Sequence, residues 1–267
     1  MCKVCIQHGD GKKWYLESKF YSEELEKQGK RDYLSRLVYE RFEIWYARLM
    51  RYTGFFDAIP ILGRMVKGVS EPVVHREHFG QIIPSDDIPA VLSLATSIYR
   101  TPCVCKMVMR GILDHNYCLG FGMFPKGYFK AYADYSEHTK EIDRDEALGL
   151  IQDCEKRGAY HSIWTYRTPF IGKLCNCDQS DCAAFTAQAR FGIKIVHKSE
   201  YIFSIDSEKC NGCRSCKEMC QFGAIEYKVE EKLCAINPAL CYGCGICRVR
   251  CKQEAITIQD RNPVLGW

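Results

Sequence analysis

Cys210-Asn-Gly-Cys213-Arg-Ser-Cys216-Lys-Glu-Met-Cys220 and Cys241-Tyr-Gly-Cys244-Gly-Ile-Cys247-Arg-Val-Arg-Cys251 carry one spacing, C-x-x-C-x-x-C-x-x-x-C. The second copy follows the first by 31 residues, and the same offset carries Ala224-Ile225 onto Ala255-Ile256. A duplication of this length is an internal repeat. Each half reads as a cysteine loop, a short helix and a short apolar strand. Gly212, Gly243 and Gly245 lie inside the loops, where the backbone must come close to whatever the thiols hold.

Outward from this block, the chain has 267 residues and 18 cysteines, too few for the density of a small disulfide scaffold. No apolar run reaches the roughly 18–20 residues of a membrane-spanning helix. The opening Met-Cys-Lys-Val-Cys lacks a basic region leading into an apolar one. We therefore expect a cytoplasmic chain without a membrane span, whose thiols stay reduced. Clustered cysteines in that setting point to metal ligation. Zinc accepts four such ligands per site, but two complete tandem runs favour iron–sulfur clusters over a pair of zinc ions.

The block resembles bacterial two-cluster ferredoxins, whose ligand run has this spacing. The resemblance implies two [4Fe-4S] clusters with crossed ligation. Three cysteines wrap one cube, while the fourth sits on the next helical turn and reaches only the other. Cys210, Cys213, Cys216 and Cys251 would hold one cluster, and Cys241, Cys244, Cys247 and Cys220 the other. The family usually has proline after the fourth cysteine, where this chain has Gln221 and Lys252. Arg214, Lys217, Arg248, Arg250 and Lys252 crowd the clusters, and positive charge there raises a potential. The formal charge of +4 treats every cysteine as neutral. Two clusters at about −2 each cancel it, so it is no signal for nucleic acid.

Before the repeat, Cys103, Cys105, Cys118, Cys175, Cys177 and Cys182 fall in two groups beside Pro, Gly or Asn. They read as a third metal site, iron–sulfur rather than zinc, with more ligands than one cluster needs and the binding four undetermined. Cys2, Cys5 and His8 are either an incomplete fourth site or free thiols at a terminus. The opening Cys2-x-x-Cys5, the run Gly11-Lys-Lys-Trp-Tyr-Leu16, Pro102-Cys-x-Cys105 and Cys175-Asn-Cys177 together resemble a family of 4Fe-4S-binding proteins from anaerobes that end in a two-cluster ferredoxin domain. Relatives there carry a denser cysteine run near Cys182. Cys154 reads as core and Cys234 as a packed or free thiol. His75 and His78, three residues apart, read as surface residues or as ligands of an unassigned group.

The expected fold class is α+β. An α-rich N-terminal domain (residues 1–203) precedes a small ferredoxin-like domain (residues 204–267) with two-fold pseudo-symmetry. The pattern predicts a hairpin of Val4–Ile6 with Trp14–Leu16, and helices from Ser22 to Arg51 and from Ser85 to about Thr101. A third helix starts at an Asp143/Glu146 capping box and runs to Gly158. Short strands are expected near 163–166 and 193–196.

No phosphate- or dinucleotide-binding glycine motif is present. The leading expectation is an electron carrier or electron-transfer subunit, with a flavin or other oxidoreductase as a separate redox partner. A reductase is the alternative. Its N-terminal cluster would keep an open iron, with protons from His115, Tyr117, His161 or Tyr166. A redox or metal sensor is the third reading, though no output domain is evident.

Overall fold

The computed structural model describes residues 13–17, 21, 44–52, 67–68, 71, 80–112, 118–121, 138–165 and 171–261. The predicted strand 4–6, the helix from Ser22 as far as residue 43, and Cys2, Cys5, His8, His75, His78, His115, Tyr117 and Tyr166 lie outside these residues.

Seven strands form one sheet: β1 (Gly80–Ile83), β2 (Ile98–Thr101), β3 (Cys118–Phe121), β4 (Lys140–Ile142), β5 (Tyr160–Thr165), β6 (Ile171–Cys177) and β7 (Val196–His197). Their order is β4-β2-β3-β6-β5-β1-β7, and every neighbouring pair is antiparallel except β1 with β7. Successive side chains alternate between two apolar layers. Ile83, Leu119, Ile163 and Leu174 face helices α2 (Ile88–Leu94) and α4 (Arg144–Lys156). Ile82 and Trp164 face α1 (Ile44–Tyr52), α3 (Val104–Arg110) and α5 (Ala183–Phe191).

This sheet is the main departure from the α-rich expectation for the first 203 residues. Its central strands are covered on both faces, so they carry no polar alternation to betray them. All six residues of β5 are buried, the polar His161, Ser162 and Thr165 included. The helix expected to run from Ser85 to Thr101 breaks at Ala95, which is extended at ψ 130°, and Ile98–Thr101 continues as strand β2. Trp14–Leu16 is a 3-10 turn with buried rings, not half of a hairpin. Asp143 does cap α4, accepting from the Glu146 amide at 2.8 Å, and Ile151 and Cys154 are buried on that helix.

The C-terminal part holds β8 (Tyr201–Ile205), α6 (Ser215–Met219), β9 (Ile225–Lys228), β10 (Leu233–Ile236), α7 (Ile246–Val249) and β11 (Ile256–Asp260). β8 pairs antiparallel with β11, and β9 with β10. Ile205 lies opposite Ile256 and Ile236 opposite Ile225, so the 31-residue offset maps one ladder's register onto the other's.

The two parts share a core. Ile246 is buried with the α1/α3/α5 layer, and Met219, Phe222 and Tyr242 pack against it. Gln221 clamps the join: its Nε2 donates to the Gly158 carbonyl at 2.6 Å and its Oε1 accepts from the Gln179 amide at 2.7 Å. Arg250 donates to the Lys156 carbonyl at 2.7 Å. The Arg261 guanidinium, buried beneath β8, donates to the carbonyls of Ser199, Tyr201 and Cys241.

Candidate metal centres

Three cavities are lined by cysteines. In the first loop, Gly212 adopts φ 69°, and a Cβ there would collide with the Lys232 carbonyl. Gly243 is its counterpart at φ 71°, against the Tyr201 carbonyl. These left-handed turns fold each cysteine loop inward. Arg214 and Gly245, also 31 residues apart, take φ 64° and 78° at the starts of α6 and α7. The Arg214 guanidinium stacks over Tyr227 at 4.1 Å.

One cavity of about 20 Å³ is lined by Cys210, Cys213, Cys216 and Cys251, with Cys234 beside them. A second, also about 20 Å³, is lined by Cys220, Cys241, Cys244 and Cys247. Cys220 and Cys251 thus sit with the loop of the opposite half. Cys234 corresponds under the repeat to Phe203, which lines the second cavity; it is buried. Burial pushes the Cys216 and Cys244 thiols up to about 12. Thiols displaced upward in this way stay protonated near neutral pH, whereas a coordinating metal ion ionises them outright.

The third cavity, about 50 Å³, lies on the α1/α3/α5 side of the sheet. Strand periodicity places Lys173, Cys175 and Cys177 on one face of β6, and all three line it. Cys118 enters from β3, directly opposite Cys175, with the two sulfurs 3.8 Å apart. Cys103 and Cys182 occupy the positions before the first turns of α3 and α5, and Cys105 follows within α3. Tyr46 of α1 closes one side. The sequence-predicted six therefore come together, all as free thiols.

The thiols alternate in acidity around this cavity. Cys103, Cys182 and Cys175 are held low, the last at about 6, chiefly by hydrogen bonds from neighbouring thiols. Their donors Cys105, Cys177 and Cys118 are correspondingly raised. Two buried lysines serve this site, and sequence reading passed over both. Lys173 lines it. Lys106 sits 3.2 Å from Asp178 and 3.4 Å from Asp181, just behind. The available signal for Lys173 was its position two residues before Cys175. Among the described residues, no three His, Cys, Asp or Glu side chains are placed to hold a single metal ion. The cysteine side chains line the three cavities described above.

Residues 203–226 match the 4Fe-4S binding domain family. The match covers the first cysteine run and supports an iron–sulfur electron-transfer role, with a [4Fe-4S] cluster, for this part of the chain. No curated protein and no solved structure matches the chain. Among the described residues no helix is long and apolar enough to cross a membrane.

Of the other candidates, His161 is buried on the opposite face of the sheet. Its Nδ1 lies 2.7 Å from Asn176 Oδ1 and its Nε2 lies 3.2 Å from Glu155 Oε1. It is turned away from the thiols. Between the six-thiol cavity and the Cys241 cavity lies a layer of rings. The Tyr160 hydroxyl is beside Cys182, and Tyr160 packs on Phe185 and Phe222 at 5.2 Å each. Phe222 stacks on Tyr242 at 4.3 Å, and both rings line the second cavity.

Proposed function

We propose that the chain relays electrons through three iron–sulfur centres: two [4Fe-4S] clusters in a C-terminal unit of about residues 204–267 and one in the N-terminal domain of residues 1–203. Cys210, Cys213, Cys216 and Cys251 hold one C-terminal cluster, and Cys241, Cys244, Cys247 and Cys220 the other. The observation that carries this reading is the exchange of fourth cysteines between cavities, because ferredoxin-type ligation needs that crossing. The offset-invariant strand register supports two halves related by a two-fold axis. Cys103, Cys105, Cys118, Cys175, Cys177 and Cys182 supply the third centre. The shared aromatic layer supports transfer between it and the Cys241 cluster, since it keeps the two cavities close and water out. The outer partner is a separate redox protein reached from the Cys210 side, where Cys213 is exposed.

The alternative of a reductase with an open iron finds less support. Six thiols around one cavity leave no corner of a cube without a protein ligand, and His161 faces elsewhere.

The test is Cys175→Ala combined with Cys177→Ala in the full-length chain purified without oxygen. Iron should fall by the content of the N-terminal centre while the reduced signal of the two C-terminal clusters survives. Unchanged iron would remove the third centre from the relay.

A further inference from the structure

The six thiols of the N-terminal cavity form a closed ring. Cys103 is hydrogen-bonded to Cys105 and Cys118, Cys105 to Cys182, Cys182 to Cys177, Cys177 to Cys175, and Cys175 to Cys118. None is turned out of the ring, and all six line the same cavity. A single four-iron cube takes four thiolates and would leave two of these buried sulfurs without a role.

The two C-terminal cavities provide a ruler inside the same molecule. Each offers the four cysteines of one cube and measures about 20 Å³, whereas the ring encloses about 50 Å³. An additional thiol alone does not explain the difference. Cys234 adds a fifth sulfur to the Cys210 cavity, and that cavity is no larger than its partner, where Phe203 stands in the corresponding place.

We propose that all six thiolates bind one centre larger than a cube: two four-iron units joined through a shared sulfide. This rests on the reading of the cavity as an iron–sulfur site. The count of ligands follows from the chemistry of the cluster. Two separate four-iron cubes present eight outward iron positions, one per iron. A sulfide bridging one iron of each unit fills two of them and leaves six, the number of thiols in the ring. Such a centre is strongly anionic, and the surroundings are built for that. Lys173 is in the lining, and Lys106 is held behind it by two aspartates. Backbone amides of Lys106 and of Ala184 and Phe185 point at the sulfurs of Cys103 and Cys182.

The experiment is iron and acid-labile sulfide analysis with Mössbauer spectroscopy on the full-length chain purified without oxygen, followed by Cys→Ser substitution of each ring member singly. The expected result is about sixteen irons per chain, eight in the two cubes and eight in the ring. Each of the six substitutions should then change the ring centre's Mössbauer spectrum. About twelve irons, with two of the substitutions silent, would overturn the joined centre and leave a third ordinary cube standing. About eight irons, or zinc in the ring, would overturn the iron–sulfur reading of the cavity as well. The iron count and spectrum of the unsubstituted protein decide among these even where a variant does not fold.

Discussion

Gln221 stands where ferredoxins usually carry proline, and its reason is visible in its two hydrogen bonds to Gly158 and Gln179. Proline would close the turn but could neither donate nor accept there. Gln221→Ala should cost about 1–3 kcal/mol, the usual loss for unpaired, partly buried backbone groups. Both cluster signals should survive, and a thermal melt of the loaded protein checks the loss. The ligand exchange makes a sharper residue-level prediction. Cys220→Ser should damage the cluster of Cys241, Cys244 and Cys247 and spare that of Cys210, and electron paramagnetic resonance of the reduced variant distinguishes the two. Gly212→Ala forces a side chain into a left-handed turn against the Lys232 carbonyl. It should lower iron content at the Cys210 site by about one cluster's worth. Cysteine spacing singled out these eight residues before any fold was known, and the fold gathers them in two cavities. Lys173 and Lys106 were not legible, because a lysine beside a cysteine in sequence is usually a solvated surface group.

Helix α4 was readable because its signals are local. Asp143 caps it, acidic residues Asp145 and Glu146 fill its first turn, and Ile151 and Cys154 repeat on one face. Asp143→Ala should cost about 1 kcal/mol, lowering the thermal midpoint by roughly 2–4 °C for a chain of this size. The strands were not readable in the same way. β1 is buried at every position, as is β5, and β6 is buried at all but the half-buried Cys175. A strand packed on both faces offers only a short apolar or mixed run, which period-two alternation cannot detect. The consequence for the site is direct. Cys118 and Cys175 meet because β3 and β6 are hydrogen-bonded neighbours, a long-range pairing that no spacing rule supplies. Sequence spacing put these cysteines in one candidate group, and the fold lines one cavity with them, but their scaffold was not legible.

At the scale of the whole molecule, the three cysteine-lined cavities lie in series. The six-thiol ring adjoins Tyr160, the stacked Phe222 and Tyr242 line the Cys241 cavity, and that cavity belongs to the same small module as the Cys210 cavity. The cations near the C-terminal module are partly committed to holding the parts together. Arg248 is paired with Asp86, whose opposite charge would offset its field at a neighbouring cluster, whereas Arg250 donates to a backbone carbonyl and keeps its full charge. Metal and fold should be coupled as well. Removing iron with a chelator under reducing conditions would leave fourteen candidate ligand thiols without metal, eight in the C-terminal cavities and six in the N-terminal one, and cluster binding contributes to folding free energy at such sites. The apo chain should therefore melt at a lower temperature than the loaded one, by calorimetry or circular dichroism. The most direct measurement of the relay is electron paramagnetic resonance of the full-length protein after chemical reduction. Two crossed [4Fe-4S] clusters in one small module should give a spectrum broadened and split by spin–spin coupling between neighbours. A single uncoupled cluster signal, or a silent spectrum from a protein that holds zinc in these cavities, would contradict it.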